Sequence, residues 1–191
     1  MSAKQDRPFD PARAARLDDP ERETWLPTPA LIGFIEIPPL ASVLDYGTGT
    51  ARYAIAIARE HPDASIVAYD SQEAMLEIAR ARATDSALKN LRVTGPPLDP
   101  LEATFDRIIG INVLHELGEA DVSALRPLLT KEGVAIFVDW DAGIDRPVGP
   151  PPKEAYDSEE ACAWLGGRGF TARVLKQDVF PYHFLIRATA H

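Results

Sequence analysis

The chain has 191 residues, 46% hydrophobic and 26% charged, proportions that exclude a disordered, collagen-like or coiled-coil chain and bound it to one globular domain with at most a small appendage. Its single cysteine, Cys162, excludes an internal disulfide framework and a multi-thiolate zinc site; no metal site and a reducing, cytoplasmic setting are expected. The net charge is −9 and concentrates between Gly95 and Glu160, where 14 Asp and Glu face 5 Lys and Arg. Such a surface repels phosphate backbones, so nucleic acid is not an expected partner.

Residues 1–30 carry charges throughout and lack the apolar core of a signal peptide. The stretch ARAARL, followed by proline-punctuated Trp25 to Pro29, reads as an N-terminal helix and arm, a candidate lid ahead of a single domain over 31–191. The apolar run LIGFIEIPPLASVL is broken by Glu36, Pro38 and Pro39 well short of the roughly 20 residues of a membrane span, so no membrane partner is expected. Five β-rich runs follow, at Ser42 to Tyr46, Ser65 to Asp70, Leu91 to Thr94, Asp106 to Asn112 and Val134 to Trp140. Helical crossovers join the first three, which makes them successive βαβ units. Ser71 is the expected N-cap of the second crossover, with Glu73 in its first turn and Met75, Leu76 and Ala79 as its core positions. After the fifth run comes a loop with Pro147, Pro150, Pro151 and Pro152. A capped helix, DSEEACAWLGG, then leads into two further runs, TARVLKQ and YHFLIRA, read as a closing hairpin.

The most informative stretch is Val43-Leu44-Asp45-Tyr46-Gly47-Thr48-Gly49-Thr50-Ala51, a buried strand running directly into a glycine turn that opens a helix. Glycines there let backbone approach a ligand closely. Twenty-one residues after Gly49 comes Asp70, placed to accept hydrogen bonds from ribose hydroxyls. A dinucleotide fingerprint would need glycine at 52, where Arg52 stands, and the third small residue is instead Ala51.

The pattern D-x-G-x-G-x-A resembles motif I of the class I S-adenosylmethionine-dependent methyltransferases. Asp70 matches that family's ribose-binding acid. Phe105 to Ile109, with Asn112-Val113-Leu114-His115-Glu116-Leu117, is similar to its fourth strand and following turn, and Gly133 to Trp140 to its fifth strand. The resemblance implies an α/β, Rossmann-like doubly wound, mostly parallel seven-stranded sheet with an antiparallel C-terminal hairpin. It implies S-adenosyl-L-methionine as cofactor, bound by Asp45, Gly47, Thr48, Gly49, Asp70, Ser71 and Asn112, with Asp45 helping to place the cofactor's amino group. One departure stands out: the acidic residue expected soon after the third strand is late, at Asp99, so the adenine contact falls to Asp99 or to backbone near Gly95 to Leu98.

A small-molecule methyl acceptor is the expected partner, because no large inserted cap is present; Phe9, Trp25, Trp140 and Tyr156 are candidate walls of its pocket. If the acceptor must lose a proton, His115, Glu116, Asp139 and Asp141 at the strand edges are candidates to take it. Two alternatives remain: a cofactor-binding protein of the same fold without turnover, and a short nicotinamide-dependent reductase, against which the absence of a Tyr-x-x-x-Lys motif argues. Oligomeric state is not legible in the sequence.

Overall fold

The β-rich runs of the sequence form parallel strands β1 (Ser42–Tyr46), β2 (Ser65–Tyr69), β3 (Leu91–Thr94), β4 (Phe105–Ile111) and β5 (Leu129–Trp140) in a computed structural model that describes residues 9–98 and 103–191. Residues 1–8 of the expected arm, and Asp99, lie outside the described residues. Strands β6 (Phe170–Val174) and β7 (His183–Ala190) complete a seven-stranded sheet of order β3-β2-β1-β4-β5-β7-β6, in which β7 runs antiparallel to both neighbours. This is the expected doubly wound sheet with an antiparallel terminal pair.

Helices α1 (Thr28–Ile35), α2 (Arg52–Glu60), α3 (Glu73–Ser86), α4 (Glu119–Leu125) and α5 (Ser158–Gly166) cover the sheet. Side chains alternate along each strand, so two cores form. Val43, Ile66, Ile109 and Ile136 pack with α1 and α2, whereas Leu44, Val67, Ile108 and Phe137 pack with α4 and α5. Because both faces are covered, buried residues follow one another along β1 and β4 instead of alternating with exposed ones.

Several boundaries differ from expectation, each for a local reason. The apolar run after residue 30 holds a helix, α1, which ends where Glu36 turns left-handed at φ 52°. Ser71 is not the N-cap of α3. Gln72 occupies that position, and its amide donates to the Asp70 carboxylate at 3.0 Å, so the turn closes on the acid and the helix starts one residue later. The expected run Thr171 to Gln177 stops at Val174, because the Gln177 side chain instead organises the hairpin turn through Phe180 and His183 backbone groups.

The arm is not one α-helix. Asp10-Pro11 and Asp19-Pro20 each hold the residue before proline extended, which cuts it into two 3₁₀ turns, Pro11–Asp18 and Pro20–Thr24, each capped by its aspartate. Trp25 and Leu26 then enter the core with α1, so the arm outside the core is residues 9–24. Among the described residues no helix is long and apolar enough to cross a membrane.

Arg107, buried on β4, ties α1 to the sheet: its Nε donates to the Ile35 carbonyl at 3.0 Å and its Nη2 to the Glu36 carbonyl at 2.7 Å. These are orphan carbonyls at a helix C-terminus, where a cation is favoured. Arg107→Met is expected to lower unfolding free energy by about 2–4 kcal/mol in urea denaturation. A loss below about 0.5 kcal/mol would mean that α1 is held by its apolar face alone.

Candidate active site

The turn after β1 is held from below by the end of β2: the Gly47 and Thr48 amides both donate to the Tyr69 carbonyl, at 2.9 and 2.8 Å. Gly47 and Gly49 take φ of +74° and +57°, a region that disfavours side chains. A Cβ on Gly47 would come within 2.5 Å of the Val113 side chain, so a larger residue there meets the turn after β4 before it meets any ligand. Ala51 adopts φ 59° at the entrance of α2.

A cavity of about 440 Å³ opens over this turn, and Asp45, Gly47, Thr48, Gly49, Asp70, Ser71 and Asn112 all line it. The structure thus brings all seven sequence-predicted residues of this group around one space. Asp70 accepts from the Gly49 amide at 2.9 Å and from Gln72, and so pins the turn to the end of β2. Burial raises the Asp70 carboxyl above its ordinary range, opposed by those amides. Asp45 is fully buried and pushed up to about 7, against the Thr48 hydroxyl, which donates to it at 2.7 Å. The nearby Asp70 charge adds to the rise. Asn112 sits left-handed at φ 56°, and both polar atoms of its amide side chain are buried without a hydrogen-bond partner among the described residues. Strain and unmet polar atoms at one position are typical of a site that completes itself with a ligand.

A second cavity, of about 860 Å³, is lined by Trp25, Trp140, His115 and Glu116, by Pro147 to Pro151 of the proline loop, and by Phe9 and Arg13 of the arm. Phe9, Leu17, Arg22, Asn112 and Glu116 line both cavities and form their common wall. The arm is fastened there: the Phe9 amide donates to Glu116 at 3.1 Å, Gln72 Nε2 donates to the Phe9 carbonyl at 3.1 Å, and Thr50 donates to Asp18 at 3.0 Å.

His115, on the 3₁₀ turn Leu114–Glu116, is 4% exposed, and its Nδ1 and backbone amide lie 2.8 and 3.0 Å from the two oxygens of Asp139. Glu116 stands 3.7 Å from its Nε2. Burial opposes charge on His115, but the two carboxylates outweigh it and hold the imidazole above its ordinary value. Burial also raises Glu116, against the His115 charge and the Phe9 amide. Asp139 lines neither cavity; it is buried behind His115, whose Nδ1 and backbone amide it engages. His183, the other buried histidine, lies tilted against Trp140 with ring centroids 4.2 Å apart, and burial pushes it down to about 3, an uncharged packing partner.

Two expected members of the pocket are elsewhere. Tyr156 packs against Trp164 on the opposite core, 1% exposed, and Asp141 accepts from the Gly143 amide in its own turn. Gly95 to Leu98 do not line the first cavity, and Asp99 lies outside the described residues. Arg22, Tyr53 and Leu17 line the first cavity without having been singled out from sequence; Tyr53 follows the glycine turn on α2, whereas Arg22 and Leu17 reach it only as the arm folds back, which no local pattern encodes.

Comparison with known proteins follows the same map. A family model described as a methyltransferase domain matches residues 43–133. The chain is 33% identical over 99 residues to ribosomal protein L11 methyltransferase of Myxococcus xanthus, covering 50% of this chain and 34% of that protein, so it spans about a third of that relative's length. A solved S-adenosylmethionine-dependent methyltransferase from Aquifex aeolicus superposes with a TM-score of 0.84 at 26% identity, over 95% of this chain and 98% of that one. An O-methyltransferase of neocarzinostatin biosynthesis, solved with S-adenosyl-L-homocysteine and 1,4-dihydroxy-2-naphthoic acid, shares the fold with a TM-score of 0.74 at 21% identity, over 95% of this chain and 59% of that one.

The buried acid gives a pH test. An aspartate held up to about 7 in the folded chain, against 3.8 ordinarily, favours folding below that window and costs stability as pH rises from about 4 to 7. Asp45→Asn keeps an acceptor for Thr48 and removes the charge. Its stability relative to wild type should therefore increase between pH 5 and 8 in thermal or urea unfolding, whereas a constant difference would place no buried charge at 45.

Proposed function

The chain belongs to the class I S-adenosylmethionine-dependent methyltransferase family, and we propose that it moves the methyl group of S-adenosyl-L-methionine to a small-molecule acceptor held in the second cavity. The observation that carries this reading is the pair of cavities with a common wall, one over the glycine turn and one roofed by the arm and the proline loop. The residues present suit the cofactor. Asp45 offers a carboxylate to a cationic amino group, Asp70 offers the remaining lone pairs of its carboxylate to ribose hydroxyls, and Asn112 has an unpaired buried amide facing the same space.

When bound, S-adenosyl-L-methionine supplies a methyl group already activated on a sulfonium. The chain's own task is then to align the acceptor and exclude water. Trp25, Trp140 and the proline loop give the second cavity an apolar, planar-walled end suited to an aromatic acceptor. His115 is the group that takes a proton from such an acceptor: Asp139 engages Nδ1, which directs Nε2 outward, and Glu116 faces the imidazolium that results. The O-methyltransferase solved with 1,4-dihydroxy-2-naphthoic acid supports an acceptor of this kind. The Myxococcus relative carries a protein substrate in its name, but the shared segment is about half of this chain and a third of that one, and the roofed second cavity favours a small molecule.

Transfer of labelled methyl from S-adenosyl-L-methionine into the small-molecule fraction of a metabolite extract tests the proposal, with label recovered only in protein as the contrary result. Asp70→Ala should weaken S-adenosyl-L-homocysteine by about 1.5–3 kcal/mol for each lost charge-assisted bond in calorimetry; unchanged affinity would remove Asp70 from the site. His115→Ala should lower turnover about 100-fold and leave cofactor affinity within about twofold. In wild type, kcat/KM should rise with pH along a limb lying above the ordinary imidazole range, since His115 is held high and only its neutral form accepts a proton. A limb at or below that range would assign the proton to another group.

A further inference from the structure

Every third residue of the arm lines the second cavity: Asp10, Arg13, Arg16, Asp19, Arg22 and Trp25. The cause is its 3₁₀ geometry, in which side chains three apart stand on one edge. The two acids on that edge serve as caps, Asp10 accepting from the Ala12 amide at 3.0 Å and Asp19 from the Glu21 amide at 2.9 Å. Asp18 and Glu23, off that edge, are paired with Arg82 and Arg52. Three guanidinium groups therefore line the cavity, and among the described residues none of them has a carboxylate within ion-pair distance.

The three are not equivalent. Arg13 and Arg16 are exposed at the rim, where solvent and salt screen them. Arg22 is 7% exposed; its guanidinium lies 4.8 Å over the Trp25 ring and engages the Tyr53 hydroxyl, while its Nε has no hydrogen-bond partner. A guanidinium cannot shed its charge, so one buried without a counter-ion is completed by an anion that enters. Arg22 stands at the common wall, but Arg13 and Arg16 line the second cavity and not the first, which puts the positive edge on the acceptor side. The same end is aromatic, with the Trp25 and Trp140 rings 5.1 Å apart.

We propose that the acceptor is an aromatic carboxylate, its ring against Trp25 and Trp140 and its carboxylate seated on Arg22. The inference rests on the acceptor reading above and names the class of molecule. A planar guanidinium fork matches a carboxylate in two parallel hydrogen bonds, and the open Nε supplies one of them. The chain carries a net charge of −9 and repels anions at long range, so Arg13 and Arg16 give such an acceptor a local path of entry.

Calorimetry on the full chain, saturated with S-adenosyl-L-homocysteine, tests this with matched pairs: hydroxybenzoates and hydroxynaphthoates against their uncharged carboxamides. At least one carboxylate should bind about tenfold or more tighter than its carboxamide. Arg22→Gln should bring that ratio to within about twofold of unity, and Arg22→Lys should keep part of it. Arg13→Gln combined with Arg16→Gln should weaken the carboxylate about two- to fivefold at low salt and less at high salt. A merely structural Arg22 would weaken both members of a pair alike and leave the ratio, an outcome that overturns the proposal. Equal affinities within every pair in wild type, or no binding by any member, would overturn it as well. Labelled methyl entering uncharged phenols but no carboxylate would overturn it and leave the methyltransferase reading standing; carboxylates that bind through Arg22 while no acceptor is methylated would instead defeat that reading.

Discussion

The buried carboxylate of Asp70 is the interaction on which the site depends. By accepting from Gly49 on one side and Gln72 on the other, it joins the turn after β1 to the turn after β2. The Tyr69 carbonyl, one residue earlier, takes the Gly47 and Thr48 amides, so the end of β2 dictates the shape of the glycine turn. That shape brings Asp45 and Asp70 into one cavity, where the Asp70 charge adds to the burial that makes Asp45 harder to ionise. Two buried acids in a common space cost the apo protein stability through desolvation, which the bonds to Gly49, Gln72 and Thr48 offset in part. A ligand with a cationic group relieves the cost, and this is the usual sign of stability given up at a functional site.

A similar economy governs the second cavity, the proposed acceptor side. His115 is fixed at Nδ1 by Asp139 and faces Glu116 at Nε2, so its ring is oriented before any acceptor arrives. Asp139 contributes without touching either cavity. The arm closes both spaces with few contacts, chiefly Phe9 between Gln72 and Glu116, and Asp18 at Thr50 and Arg82. Its two Asp-Pro breaks keep it as short turns that follow the surface.

The sheet and the glycine turn were legible because they are written locally: apolar runs of strand length, helical crossovers, and Asp45, Gly47, Gly49 and Asp70 at fixed spacing. Errors arose where one particular hydrogen bond or a distant partner decides. Ser71 has the composition of an N-cap, but Asp70 already engages the Gln72 amide. The Thr28-Pro29 start of α1 falls in the stretch expected as arm, and the helix is secured by Arg107 from a strand more than seventy residues away. Tyr156 follows the proline loop in sequence yet turns into the core against Trp164. Arg22 carries no motif at all, and its burial exists only once the arm has folded back over Trp25.

The central claim is that the acid-lined cavity over the glycine turn receives the amino-acid end of the cofactor. Titration of S-adenosyl-L-homocysteine into the protein at pH 7, in two buffers of different ionisation enthalpy, tests it most directly. An ammonium group beside Asp45, held at about 7 in the free protein, favours its ionised form, so binding should release up to roughly half a proton, and Asp45→Asn should abolish the release. Binding without proton release in the wild-type protein would contradict the account.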